Sequence, residues 1–158
     1  MTAATSHDTF QHALCGAACA TVATTAAVAA AGQLENGRPL GPINAVSHIL
    51  FGDEAAAHDE PSLQYTLSGL ALNAGAVAGW AVVGELLFGG KRRPTTLPGA
   101  SAAGAATSAI AYVTDYHLVP DRLTPGFEKR LSNGALAAVY GVLAVGLGLG
   151  IWGWGRRR

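Results

Sequence analysis

The sequence predicts an all-α membrane protein, a bundle of four transmembrane helices with an amphipathic interfacial helix in the first outer loop. Only 13% of the 158 residues are charged, which is roughly half the charged fraction of an ordinary soluble domain. Nearly all of these charges lie in short regions that leave four long apolar intervals between them. A soluble fold needs a polar surface that this chain lacks, whereas helices in lipid do not. We therefore expect one integral membrane domain over residues 1–158, with the lipid bilayer as its surroundings.

Each apolar interval is long enough to cross the hydrocarbon of a bilayer, which takes about 20 helical residues. The spans are expected near residues 14–32, 67–89, 98–118 and 135–154. The first is mostly alanine and inserts only marginally by itself, so a cleaved secretory signal is an alternative for it. Residues 1–37 contain no Lys or Arg, and this missing positive region favours a retained helix.

Local signals mark where some of these elements begin and end. Pro98 stands at the start of the third span, where its missing N–H leaves no hydrogen bond unmade. Trp152 and Trp154 close the fourth span as interface anchors, and arginines follow them. Two further segments, near 42–52 and 125–132, have apolar residues at helical spacing but are too short to span. We expect both to lie in the membrane interface.

Four spans place both termini on the same side of the membrane. That side carries Lys91, Arg92, Arg93 and the three C-terminal arginines, six positive charges against four on the other side. Because positive residues next to span ends mark the cytoplasmic side, we expect both termini in the cytoplasm and residues 44–60 outside. The formal net charge of zero and the lack of a basic stripe argue against a nucleic-acid partner.

The residues best suited to bind a ligand or to take part in chemistry are expected on the outer face of the membrane. The third span ends there, so its last polar residues can meet those of the first loop. The candidate cluster consists of His48, Asp53, Glu54, His58, Asp115 and His117. The three histidines with carboxylates are suitable ligands for a transition metal or a haem, but their spacing matches no tight metal motif. No cofactor is therefore predicted, and a hydrated loop or a partner-protein surface are the alternatives.

Two polar residues lie inside the second span. Glu85 is costly at membrane depth, so we expect it either to pair with Lys91 or Arg92 or to serve the movement of protons or ions. Asn73 is expected to hydrogen-bond to a polar residue of the third span and to hold the two helices together. Neither residue by itself indicates a catalytic site.

Small residues recur at spacing four in the second and third spans. Gly75 and Gly79 form a GxxxG step, and Gly104 lies in a similar ladder of the third span. Glycine at this spacing lets helix backbones approach closely and gain dispersion contacts. We expect these positions to mediate helix packing, within one chain or between copies.

The stretches "NAVSHILFGDEAA", "PSLQYTLSGLALN" and "DYHLVPDRLTPGFEKRLS" resemble segments of small four-span bacterial inner-membrane proteins that have no assigned activity. The resemblance implies a bacterial inner-membrane location and no functional residue. Since no catalytic motif is present, we expect a non-enzymatic protein that supports or assembles with another membrane component or with itself. One alternative is a small transporter or channel with a polar path at Glu85, Asn73 and Asp115. Another is a metal- or haem-associated membrane protein that uses the outer histidines.

Overall fold

The computed structural model describes the backbone of residues 3–155 and the side chains of residues 16–152. In that part every regular element is helical, which confirms the all-α class. The α-helices are α1 (Ala3–Asn36), α2 (Gly41–Val46), α3 (His48–Phe51), α4 (Tyr65–Phe88), α5 (Leu97–Val113) and α6 (Asn133–Gly155). A π-helical turn, Thr114–Leu118, continues α5. Short 3-10 turns lie at Asp53–Ala57, Gly90–Arg92, Asp121–Leu123 and Phe127–Lys129.

Three helices are long and apolar enough to cross a membrane. They are Gly16–Asn36 within α1, Tyr65–Phe88, and Asn133–Trp152 within α6. The third predicted interval corresponds to α5, which has only 17 α-helical residues, or about 25 Å of helix at 1.5 Å per residue. It approaches a spanning length only together with the π turn, which the hydropathy pattern did not reveal.

Long helices that follow one another along the chain run antiparallel, and α6 packs antiparallel against both α1 and α5. Glycines permit the close approach: a Cβ on Gly16 of α1 would lie 3.1 Å from the Cα of Gly150 in α6. A Cβ on Gly104 of α5 would meet the carbonyl oxygen of Ala144 and lie 2.7 Å from the Cα of Gly148. Helix α1 therefore begins where α6 ends. We call this the terminal end of the bundle, and the opposite one the capped end.

Side-chain caps fix where α4 and α5 begin. The hydroxyl of Ser62 accepts a hydrogen bond of 3.2 Å from the backbone N–H of Tyr65. The hydroxyl of Thr96 accepts one of 3.3 Å from Gly99, and Pro98 stands in the first turn, as its sequence position predicts. These caps satisfy N–H groups that have no partner inside a helix.

The two segments predicted to lie in the interface differ in the structure. Residues 42–52 form two short helices instead of one, and every residue of α2 is buried. Ile43 and Val46 belong to a core cluster at the capped end, so α2 packs inside protein, whereas Leu50 of α3 is 54% exposed. Residues 125–132 contain only the 3-10 turn Phe127–Lys129. Helical spacing identified the apolar side of α2, but it could not reveal that the polar side also finds protein partners.

Candidate functional site

A cavity of about 230 Å³ lies at the capped end, between α1, α4, α6, the π turn and the loops above them. Most of its lining is apolar, including Val77, Phe127 and Leu143. Among the described residues that line it, Asp115 alone carries a formal charge. A mostly apolar cavity with a few polar groups is the usual form of a small-molecule site. It is therefore the candidate site of this protein.

The carboxylate of Asp115 is held in place by an aromatic side chain. The Tyr140 hydroxyl donates a hydrogen bond to its Oδ2 over 2.6 Å, and the indole of Trp80 lines the same cavity. No ion pair among the described side chains includes Asp115. A carboxylate accepts about four hydrogen bonds, so oxygen lone pairs remain for a ligand in the cavity.

Tyrosine rings surround this carboxylate. Tyr112, Tyr116 and Tyr140 contact one another with ring centroids 5.2, 5.3 and 5.8 Å apart. These are distances at which tilted and edge-to-face ring pairs are favourable. We call these three residues the tyrosine cluster. It fixes the orientation of Tyr140 and therefore the position of the Asp115 oxygens.

The π turn decides which side chains of this region reach the cavity. It follows Val113 directly and widens the last turn of the helix. Asp115 lines the cavity and Tyr116 packs against the core, while Leu118 is 71% exposed. Such π turns inside helices occur frequently at functional sites.

The cavity opens to the exterior between α4 and the loop that follows the π turn. Ala76 on α4 and Leu123 in that loop both line the cavity. Both are exposed, Leu123 at 53% of its surface. Because α4 is one of the helices that can cross a membrane, the opening lies on a side of the bundle where lipid is expected.

Asn44 organises the loop above the cavity. Its Nδ2 donates to the carbonyl oxygens of His58, at 2.9 Å, and Glu60, at 3.1 Å. Its Oδ1 accepts a bond of 2.6 Å from the hydroxyl of Thr66. The side chain is fully buried, although a polar residue on a short amphipathic helix normally faces water. A buried amide with all these partners is a structural residue.

His48 is also buried, and backbone carbonyls surround its ring. Nδ1 lies 3.0 Å from the oxygen of Ala45, and Nε2 lies 3.3 Å from that of Asp121. Gly126 makes room for this ring: its φ is +84°, and a Cβ there would lie 2.8 Å from Nδ1 of His48. Both ring nitrogens thus lie against backbone carbonyl oxygens inside the protein, a position that disfavours His48 as a metal ligand.

An arginine links the loop to the segment before α6. Arg130 donates to the carbonyl oxygen of Ala56 over 3.0 Å and pairs with the carboxylate of Asp59. Arg38, after α1, lies 3.6 Å from the same carboxylate. The loop and these contacts form the cap, which we define as residues 38–62 together with residues 119–132.

The first two carboxylates of the outer cluster have protein partners, one in the cap and one at the start of α4. Asp53 pairs with Lys129 at 2.8 Å, and the hydrogen bond and charge of Lys129 hold the pKa of Asp53 below its ordinary value. Glu54 accepts a bond of 3.4 Å from the hydroxyl of Tyr65. Both residues are exposed, so these contacts contribute little to stability.

The three histidines of the outer cluster occupy different environments. His48 is buried as described, whereas the exposed His58 stacks on Tyr65 with ring centroids 4.1 Å apart. His117 is exposed as well and lies 5.7 Å from the ring of Tyr112. In the part of the chain that is described, no three His, Cys, Asp or Glu side chains are grouped closely enough to hold a metal ion. The cluster expected from the sequence is therefore dispersed.

Glu85 belongs to a separate arrangement at the terminal end. It is buried and pairs at 2.6 Å with Arg93, which also donates 3.0 Å to the carbonyl oxygen of Ile151. The sequence suggested a pair with one of the two preceding basic residues. The turn Gly90–Arg92 instead brings the third basic residue back to α4.

Asn73 lines the cavity, and its amide donates 3.1 Å to the hydroxyl of Thr25 on α1. The sequence predicted a partner on the third span, but α4 packs along α1 at this level. Asn73 therefore holds two helices together as expected, but it joins α4 to α1 and not to the third span.

The glycines of the second and third spans behave differently. Gly104 makes the close backbone contact with α6 described above. Gly75 and Gly79 are exposed, and a Cβ on either would find no atom within 4 Å. The GxxxG step therefore mediates no packing within the described part of the chain.

Trp80 and Tyr140 were not identified from the sequence as site residues. One signal was present, since Asn73, Val77 and Trp80 stand at i, i+4 and i+7 and therefore share one face of α4. For Tyr140 no local signal existed, because its partner lies 25 residues away along the chain.

None of the known protein families, curated proteins or solved structures with which the chain was compared matches it, so its function has to be inferred from this geometry.

Proposed function

We propose that the chain is a non-enzymatic, four-span integral membrane protein that binds a small molecule in the capped-end cavity, as a small carrier or transporter does. The observation that carries this proposal is Asp115, a carboxylate without an ion-pair partner among the described residues, in a lining that is otherwise uncharged. Such a group is costly to keep away from water. A ligand that binds it offsets that cost.

The membrane arrangement belongs to the same proposal. Helix α5 with its π turn, residues 97–118, is the third of four spans, so both termini lie in the cytoplasm of a bacterium and the cap lies outside its inner membrane. Lys91, Arg92 and Arg93 at the terminal end support this orientation. At the capped end, the basic residues are bound to cap carboxylates or carbonyls: Arg38, Arg122, Lys129 and Arg130.

A continuous polar path through the bundle receives less support. Asn73 and Asp115 share the cavity, but Glu85 does not line it. The buried residues Val77 and Ala81 lie between Asn73 and Glu85 along α4. Near Glu85 there is only a void of about 10 Å³, which is at the lower limit for one water molecule. This arrangement favours binding from one side over an open channel.

Filling the cavity mouth should abolish binding. We expect Ala76→Phe to place its ring in the opening, and Gly75→Phe, the matched control, to point outward, where no chain atom lies within 4 Å. The wild type and Gly75→Phe, purified from native membranes, should retain a co-purified compound at about one copy per cavity. Ala76→Phe should lose it. Quantitative mass spectrometry of the extracts checks this, and equal contents in all three proteins would contradict the proposal.

A second candidate function, assembly with another membrane protein or with itself, is favoured by the exposed face of α4. Ala71, Gly75 and Gly79 lie on this face at spacing four and are all exposed. Small residues at this spacing suit close contact with another helix. A chain that stays monomeric and without a partner at high protein-to-lipid ratio would contradict this candidate.

A further inference from the structure

We propose that the ligand of the capped-end cavity is a lipophilic organic cation, an amine or ammonium group with an apolar body, and that it reaches Asp115 from the lipid through the opening beside Ala76. This inference rests on the proposed binding function and specifies its ligand class. Three features of the cavity carry it: the sign of its charge, the aromatic groups around that charge, and the apolar opening.

The charge of the lining excludes most other ligand classes. An anion would meet the Asp115 carboxylate with no Lys or Arg among the described lining residues to bind it. A zwitterion needs donors for its own carboxylate. One of the two N–H groups of the Asn73 amide already donates to Thr25, and the hydroxyl of Thr24 donates to the carbonyl oxygen of Ala20, so few donors remain for a carboxylate. The lining is therefore complementary to a positively charged ligand.

An inorganic cation fits the cavity less well than an organic one. Mg²⁺ and Ca²⁺ take six or more oxygen ligands, usually including several carboxylates or carbonyls. Here Asp115 is the single carboxylate among the described lining residues, and apolar side chains cover most of the rest. An ammonium group needs one counter-charge and tolerates an apolar surface on its other sides.

Aromatic groups at the carboxylate favour a cation further. Trp80 and Tyr140 both line the cavity, and Tyr140 donates a hydrogen bond to Asp115, so two aromatic side chains lie near the place where the positive group would bind. The faces of aromatic rings attract cations, and the ring of tryptophan does so most strongly. The attraction is larger where water is excluded. This combination of a carboxylate and rings suits an alkylated ammonium group, which has few N–H groups to satisfy.

The size and the opening of the cavity match an amphiphile. Its volume of about 230 Å³ is below the ~300–1,000 Å³ of drug-sized sites, so a compact head group fits and a longer tail extends outward. The rim residues Ala76 and Leu123 are apolar and exposed. An apolar tail can lie there in contact with lipid while the head remains at Asp115.

The test uses the full chain in lipid nanodiscs and two probes, octyltrimethylammonium and its neutral analogue, in which a carbon replaces the nitrogen. Titration calorimetry, corrected with empty nanodiscs, should give the ammonium probe an affinity at least about tenfold higher than that of the analogue. Asp115→Asn should remove this difference. Asp121→Asn, an equal charge change on the exposed cap surface, should preserve it. Thermal unfolding of Asp115→Asn in the same nanodiscs establishes that the variant is folded.

The outcomes separate the ligand class from the binding function. One contrary outcome is that the two probes bind with equal affinities that Ala76→Phe abolishes and Asp115→Asn leaves unchanged. That result would contradict a cationic ligand but would still show that the cavity is a binding site. A lack of saturable binding of the ammonium probe would also contradict a cationic ligand. In that case the compound retained during purification, measured independently of either probe, decides whether the cavity binds anything.

Discussion

Arg93→Met is expected to lower the free energy of unfolding by about 3 kcal/mol, because it leaves the Glu85 carboxylate buried without its partner. In the structure this arginine is itself mostly buried and joins α4 to the end of α6 through Glu85 and the carbonyl oxygen of Ile151. Its removal therefore breaks an ion pair and a hydrogen bond to the end of α6. Unfolding of the purified chain in mixed micelles measures the change.

The neighbouring residue provides a matched control. Arg92 is exposed in the same turn, so Arg92→Met should change the unfolding free energy by no more than about 0.5 kcal/mol. The double variant Glu85→Gln with Arg93→Met should recover most of the loss, since no buried charge then remains. Equal losses for the two arginine variants would contradict a specific role of Arg93.

Gly104→Ala is the second substitution with a large expected effect. Its methyl group would meet the carbonyl oxygen of Ala144 and lie 2.5 Å from the backbone nitrogen of Gly148, so α5 and α6 must move apart. We expect a loss of about 1–3 kcal/mol, even though alanine is intrinsically the better helix former by about 1 kcal/mol. The same micelle unfolding experiment reports it.

Gly75→Ala serves as its control on α4, where the added methyl group would contact no other part of the chain. We expect this variant to be as stable as the wild type or more stable by up to about 1 kcal/mol. A loss as large as that of Gly104→Ala would mean that Gly75 is packed after all. If that loss appeared only in an oligomer, it would support the assembly candidate.

The sequence predicted the helical class and the apolar helices well because both depend on composition over long windows. A run such as residues 65–88 contains a single charged residue, Glu85, and length with hydropathy is sufficient to identify it. Helix starts were also near those of the structure where a cap or proline marks them, as Pro98 does for α5.

The cap and the cavity could not be predicted because they depend on contacts between distant parts of the chain. Asn44 on α2 and His48 on α3 are polar residues of short helices, a pattern that normally indicates a solvent-exposed face. Most of their partners are backbone carbonyls, one of them 73 residues away at Asp121, and a backbone carbonyl leaves no residue-specific trace in a sequence. The π turn that brings Asp115 to the cavity also has no sequence signature.

The side of the membrane on which each loop lies tests the four-span arrangement most directly. Single cysteines replace exposed residues in a variant without Cys15 and Cys19: Leu63 and Leu118 at the capped end, and Thr95 at the terminal end. A maleimide that cannot cross the membrane should label the first two on intact bacterial cells and Thr95 only after permeabilisation. Labelling of Leu118→Cys and Thr95→Cys from the same side would show that α5 does not span. That result would contradict both the topology and the lipid-facing cavity.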